Sequence, residues 1–310
     1  MPASAPARRY RSPLIAVVTC VLMFGGMIEA TASDPQPVHD GSRSEADYSA
    51  VPGYRAWLQA NDANNYRLIV KPTGADRYVV GKGDEVGAGS DLALGTALGD
   101  VLVFTGGNEA DVRIWDLEAE RFVRTPEGIN TAEPEYGAGV SGDHLVFGRD
   151  PKRNGRSSQV VLADLTTGRS KILGRSKHGA DPNSINGDWV TYTVCGTSTC
   201  DVFRYRISTG RARRIPHADR VSLYASTVTA HGTVFLIQGP HGCGGGGASI
   251  VRWTPDGRRT LWTSADRFDV WDMDALVHAG STALFFQRAK CTRIPDDGFR
   301  VSYDIYRLEI

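Results

Sequence analysis

The chain has 310 residues, with 35 basic and 35 acidic side chains, a formal charge of zero and 41% hydrophobic residues. That balance excludes an intrinsically disordered chain, which would combine low hydrophobicity with high net charge. No basic stripe runs along the sequence, which argues against nucleic acid or an anionic membrane as the partner.

In chain order, residues 1–32 carry the three parts of a secretory signal. Arg8, Arg9 and Arg11 precede an apolar run over 14–27, and Ala30-Thr31-Ala32 closes the segment with small residues. The run is short for a membrane span. Cleavage after residue 32 would leave 32 basic and 34 acidic residues. The expectation is an exported chain, secreted or held at the periplasmic or outer side of the cell envelope. It would be monomeric and without a membrane span, with a flexible lead-in over 33–46 and a single domain over 47–310.

That domain repeats itself about every 45 residues. The glycines of a turn that precedes a short apolar strand, Gly99, Gly142, Gly187, Gly232 and Gly280, are 43, 45, 45 and 48 residues apart. A second marker, a strand followed by a turn, keeps the same phase at Gly74, Glu120, Gly168, Gly210 and Gly257. Together they count six units. This period fits an all-β, six-bladed propeller of four-stranded antiparallel blades, with strands a to d running outward from a central channel. A single unit cannot bury its apolar faces, so neighbours must stack on both sides. Continuous apolar strands such as 101–104, 234–237 and 283–286 are what such stacking requires. The last unit ends on its strand c. A segment around 45–51 is therefore expected to supply the missing outer strand, close the ring and remove the free sheet edges.

Four cysteines follow the signal segment, an even number that suits an exported chain. Cys195 and Cys200 bracket a tight b-to-c loop of the fourth unit, and Cys243 and Cys291 fall in the corresponding loops of the fifth and sixth. Pairing Cys195 with Cys200 and Cys243 with Cys291 is favoured among three possible pairings. A four-thiolate zinc site is the rival reading.

The a-to-b and c-to-d turns are short and regular. The b-to-c and d-to-a connections, such as 150–158, 239–249 and 290–300, are longer and vary, so the face they form is where binding is expected. A carboxylate precedes each turn marker: Asp47, Asp91, Glu135, Asp181, Asp219 and Asp269, the last beside Trp271. If these converge they make an acidic collar for a calcium ion or a cationic ligand. The plainer reading is that they satisfy local backbone donors. The glycine-rich stretch 241–247 has no nucleophile elbow to serve, and no catalytic set can be named.

Two stretches carry a resemblance. Ser141-Gly142-Asp143-His144-Leu145-Val146-Phe147 with Asp164-Leu165-Thr166-Thr167-Gly168, and Asp201-Val202-Phe203-Arg204-Tyr205 with Ser208-Thr209-Gly210-Arg211, resemble the repeat of TolB-like six-bladed propellers. The resemblance covers most of residues 50–310 and implies a fold rather than an active site. Two functions follow as expectations. One is a non-enzymatic exported propeller that binds a protein, peptide or glycan through its upper-face loops. The alternative is an exported metal-dependent hydrolase or lyase with a carboxylate-lined site at the channel mouth.

Overall fold

The structure, a computed structural model, describes residues 34–38, 45–60, 66–82, 86, 92–95, 100–106, 110–151, 157–218, 221–239, 247–264, 268–278, 281–294 and 298–310. It opens with a two-residue strand, β1 (Gln36–Pro37). Blade 1 is β2 (Glu45–Val51), β3 (Tyr54–Ala60), β4 (Tyr66–Pro72) and β5 (Tyr78–Lys82). Blade 2 is β6 (Leu92–Gly95), β7 (Val101–Gly106), β8 (Asp111–Asp116) and β9 (Arg121–Val123). Blade 3 is β10 (Glu135–Ser141), β11 (His144–Arg149), β12 (Ser158–Asp164) and β13 (Ser170–Ser176). Blade 4 is β14 (Ala180–Asn186), β15 (Trp189–Cys195), β16 (Cys200–Arg206) and β17 (Arg211–Arg214). Blade 5 is β18 (Leu223–Val228), β19 (Val234–Gln238), β20 (Ser249–Thr254) and β21 (Gly257–Thr263). Blade 6 takes β22 (Phe268–His278), β23 (Ser281–Ile294) and β24 (Gly298–Glu309) from the end of the chain and β1 from its start.

The ring is thus a six-bladed propeller closed by an N-terminal strand, but the closing strand is not the one expected. β1 pairs with β24 through Gln36↔Arg307 and Pro37↔Tyr306, and Val38 N–H extends the ladder to Ile305 O at 2.8 Å. Residues 45–51 form the innermost strand of blade 1 instead. The reason is local: Pro52-Gly53, with Gly53 at φ 98°, makes a tight hairpin that commits 45–51 to β3.

Six apolar clusters hold the ring, each shared by two adjacent blades. The fourth residue of strand b supplies a large side chain in every blade: Trp57, Phe104, Phe147, Tyr192, Ile237 and Leu284, all buried. Burying one such side chain contributes roughly 1.5–3 kcal/mol, so this position adds a repeated contribution to the ring's cohesion. β7 is buried along its whole length, whereas β17 is exposed along its whole length. Burial therefore falls from the second strand of a blade to the outermost one.

Candidate functional site

The inner strands line a channel cavity of about 390 Å³. Its wall includes Pro52 and His231 of the a-to-b turns and Ser141 and Asn186 at the ends of inner strands, so it opens on the face that the sequence marks as the regular one. A smaller space of about 60 Å³ lies deeper, beside Gly137, Pro182 and Ser226. Gly95 shows how tightly neighbouring inner strands approach: a Cβ there would lie 2.5 Å from Val140 O.

Hydroxyl and amide side chains stitch this wall together across the blades. Leu94 N–H donates to Ser49 Oγ at 3.0 Å, Gly187 N–H to Ser141 Oγ at 2.9 Å and Val228 N–H to Ser184 Oγ at 3.4 Å. Asn183 Nδ2 donates to Ser226 Oγ and Thr193 Oγ1, both at 2.9 Å, and Tyr136 OH donates to Ala180 O at 2.7 Å. The cross-blade partners are 43 to 46 residues apart, one repeat along the chain. Sequence reasoning missed these groups, although Ser49 and Ser184 stand three repeats apart.

A β-bulge recurs near the start of the inner strands of blades 1, 3, 4, 5 and 6 and decides where the carboxylates point. In blade 1 the bulge residue is Asp47 itself, at φ 42°, and in blade 3 it is Gly137, at φ 51°. The residue that matches Glu135 is therefore Glu45, two positions before Asp47. Glu45 lies opposite Gln59 and Glu135 opposite Arg149. Both are buried against the preceding blade, away from the channel.

Arg149 Nε donates to Glu135 Oε1 at 2.9 Å and Thr131 Oγ1 to the same oxygen at 3.0 Å. Burial still holds the Glu135 carboxyl above the ordinary carboxylate range, because it outweighs those two donors. At Glu45 burial raises the pKa to about 7; Gln59 donates only a single 3.3 Å bond, Asp304 pushes further up and Arg77 pulls down. In blade 4, Ala180 takes the place facing blade 3, so Asp181, one residue on, is turned to the other side. Asp181 remains open to water, while the atoms crowded around its carboxyl raise its pKa.

Asp91 and Asp219 lie outside the described residues, and Asp269 and Trp271 lie on β22 with side chains outside the description. Among the described residues, no three His, Cys, Asp or Glu side chains gather to hold a metal ion. Cys195 and Cys200 form a disulfide across the β15–β16 hairpin. Cys243 lies outside the described residues, as does the side chain of Cys291. No helix among the described residues is long and apolar enough to cross a membrane.

The chain matches no family model and no curated protein. Solved structures share its fold. TolB from Acinetobacter baumannii is 15% identical, with a TM-score of 0.51 over 83% of this chain and 64% of TolB, so this chain spans less than two thirds of that protein. An oligogalacturonate lyase in complex with manganese is 10% identical, with a TM-score of 0.54 over 90% of this chain and 96% of the lyase. Regucalcin, a calcium-binding protein from Agrobacterium tumefaciens, is 12% identical, with a TM-score of 0.52 over 87% of this chain and 94% of that one. At these identities the likeness is one of fold: the chain shares a propeller fold with TolB.

Proposed function

We propose that the chain is an exported, non-enzymatic propeller that binds a protein, peptide or glycan, with its ligand entering an open end of the channel or resting on the variable loops. One observation carries this reading: no carboxylate lines the described channel wall, whose Ser49, Ser141, Asn183 and Ser184 bond across the blades, while Glu45 and Glu135 are turned into the blade interfaces. No nucleophile, base and orienting partner therefore converge among the described residues. A wall of short hydroxyl and amide side chains suits a neutral, hydrogen-bonding ligand. Export is supported by the signal-like residues 1–32 and by the Cys195–Cys200 disulfide. The alternative, a metal-dependent hydrolase or lyase using calcium or a similar cation, would rest on Asp91, Asp219 and Asp269, and it draws on the fold shared with a manganese-bound lyase.

Glycan and peptide arrays followed by calorimetry test the choice. The expected result is a hit that binds without added metal, and Asn186→Trp, which narrows the lower mouth, separates a channel ligand from a loop ligand. Calcium- or manganese-dependent turnover that is lost in Asp219→Asn would overturn the reading.

A further inference from the structure

Residues 204–214 carry five arginines and no carboxylate, and the fold gathers four of them on one face at the outer edge between blades 4 and 5. In the β16–β17 ladder Arg204 lies directly opposite Arg213, and Arg206 directly opposite Arg211. Like charges at directly opposed positions are destabilising, so two such pairs in a four-residue strand call for an anion. Arg204 is only 8% exposed and is stacked between Trp189, at 4.3 Å, and Trp253, at 4.8 Å, with Nη1 donating to Gly232 O at 2.7 Å. Its Nε has no hydrogen-bond partner among the described residues. Burial lowers the pKa of Arg204, and the charges of Arg213 and Arg206 lower it further.

Trp253 pairs with Arg258 across blade 5, so Arg258 shares the side of that sheet that faces blade 4. Arg206 is held by Asp188 at 2.6 Å, but among the described residues Arg211, Arg213 and Arg258 form no ion pair with a carboxylate. Arg204 and Arg206 both stack on Trp189, which leaves little aromatic face for a nucleic-acid base.

β17 is also an edge. Ile215 N–H donates to Val202 O at 2.9 Å, and the β16–β17 register then turns the backbone groups of Arg213 and Arg211 toward β16. Those of Ala212 and Arg214 face outward, away from the blade. An added strand would bond there, and its alternate side chains, about 6.6 Å apart, would fall beside Arg211 and Arg213.

We infer that β17 accepts an extended acidic segment of a partner protein as a fifth strand of blade 4, with alternate Asp or Glu side chains meeting Arg211, Arg213 and Arg258. The same arginines exclude a second copy of this edge, because arginine would then face arginine. This surface is separate from the channel and the upper loops, and the two can fail independently.

The probe is a labelled eight-residue peptide alternating Glu and Thr, followed by fluorescence anisotropy at low salt. A second peptide has the same composition with its glutamates in one block. The alternating peptide should bind. Arg211→Glu with Arg213→Glu should weaken it at least tenfold, and Ala212→Pro, which removes one outward N–H and no charge, at least fivefold. Hydrogen exchange gives a readout that needs no variant: the Ala212 and Arg214 amides should gain protection when the peptide is added. Asn186→Trp should leave binding unchanged. Equal affinity for the blocked peptide, unprotected amides, or no binding by the wild-type protein would each overturn the inference.

Discussion

Glu45 and Glu135 occupy the same place in their blades, opposite the sixth residue of strand b and two residues before the bulge. Blade 1 sets Gln59 against its carboxylate, and blade 3 sets Arg149. The repeat therefore builds the niche, while the partner decides how much charge the niche will hold. Glu135 has two donors at 3.0 Å or less, and its cation also reaches Ile129 O and the Phe147 ring. Glu45 has one weak amide bond and the Asp304 carboxylate nearby, at the interface where the ring closes. The contrast is between a paired ion and an acid left close to neutrality, in one backbone geometry.

Breaking the paired member should have the largest effect. Arg149→Leu leaves Glu135, fully buried, without its cation, and losing one partner of a buried pair costs about 3–5 kcal/mol. Chemical denaturation should show that loss, larger at pH 8 than at pH 5, because at low pH the carboxyl can take up a proton. Adding Glu135→Leu should recover most of it, since an apolar pair of similar size can replace a buried ion pair. A single variant as stable as wild type would show that the pair is incidental.

The unpaired member gives the next effect, with a defined sign. The Glu45 pKa rises from 4.5 to about 7 on folding, so its contribution to stability is fully present below 4.5 and lost as pH rises through 7. The difference corresponds to about 3 kcal/mol at pH 8, taken as an order of magnitude. Glu45→Gln keeps the shape and the bond to Gln59 and removes the charge. Its melting temperature should fall less than that of wild type between pH 5 and 8, and parallel curves would count against a raised Glu45. Gln59→Arg copies blade 3 into blade 1. It should lower the Glu45 midpoint seen by NMR by at least one unit, about 1.4 kcal/mol; an unmoved midpoint would mean that the two niches are not equivalent.

These contrasts mark how far the sequence could be read. The blades were legible because a 45-residue period, with turn glycines in phase, reflects backbone geometry. The closing strand differs from the expected one because Pro52-Gly53 forms the hairpin that binds residues 45–51 to β3. The carboxylate series was counted by interval alone, but a strand alternates faces every residue and a bulge resets the alternation. Asp47 therefore sits on the bulge, Glu45 takes the place of Glu135, and Ala180 takes it in blade 4 with Asp181 turned away. The arginine run over 204–214 is visible in the sequence, but Arg204 and Arg213 are nine residues apart and only the register sets them face to face.

The smallest effect belongs to the channel-side neighbours of the two glutamates. Two residues before the end of the inner strand, blade 1 has Ser49 and blade 3 has Gly139, so the hydroxyl that binds Leu94 N–H has no counterpart in blade 3. Ser49→Ala leaves the Leu94 amide without that acceptor. The channel beside it is open to water, which can replace part of the bond, so the loss should be about 1 kcal/mol rather than the larger cost of a sealed donor. It should appear as a lower melting temperature with the pH dependence of wild type retained, because no charge is altered. A change in the pH slope instead would tie Ser49 to Glu45 within one network, and the two blades would then differ in how the inner wall is coupled to the closing interface as well as in the partner of a carboxylate.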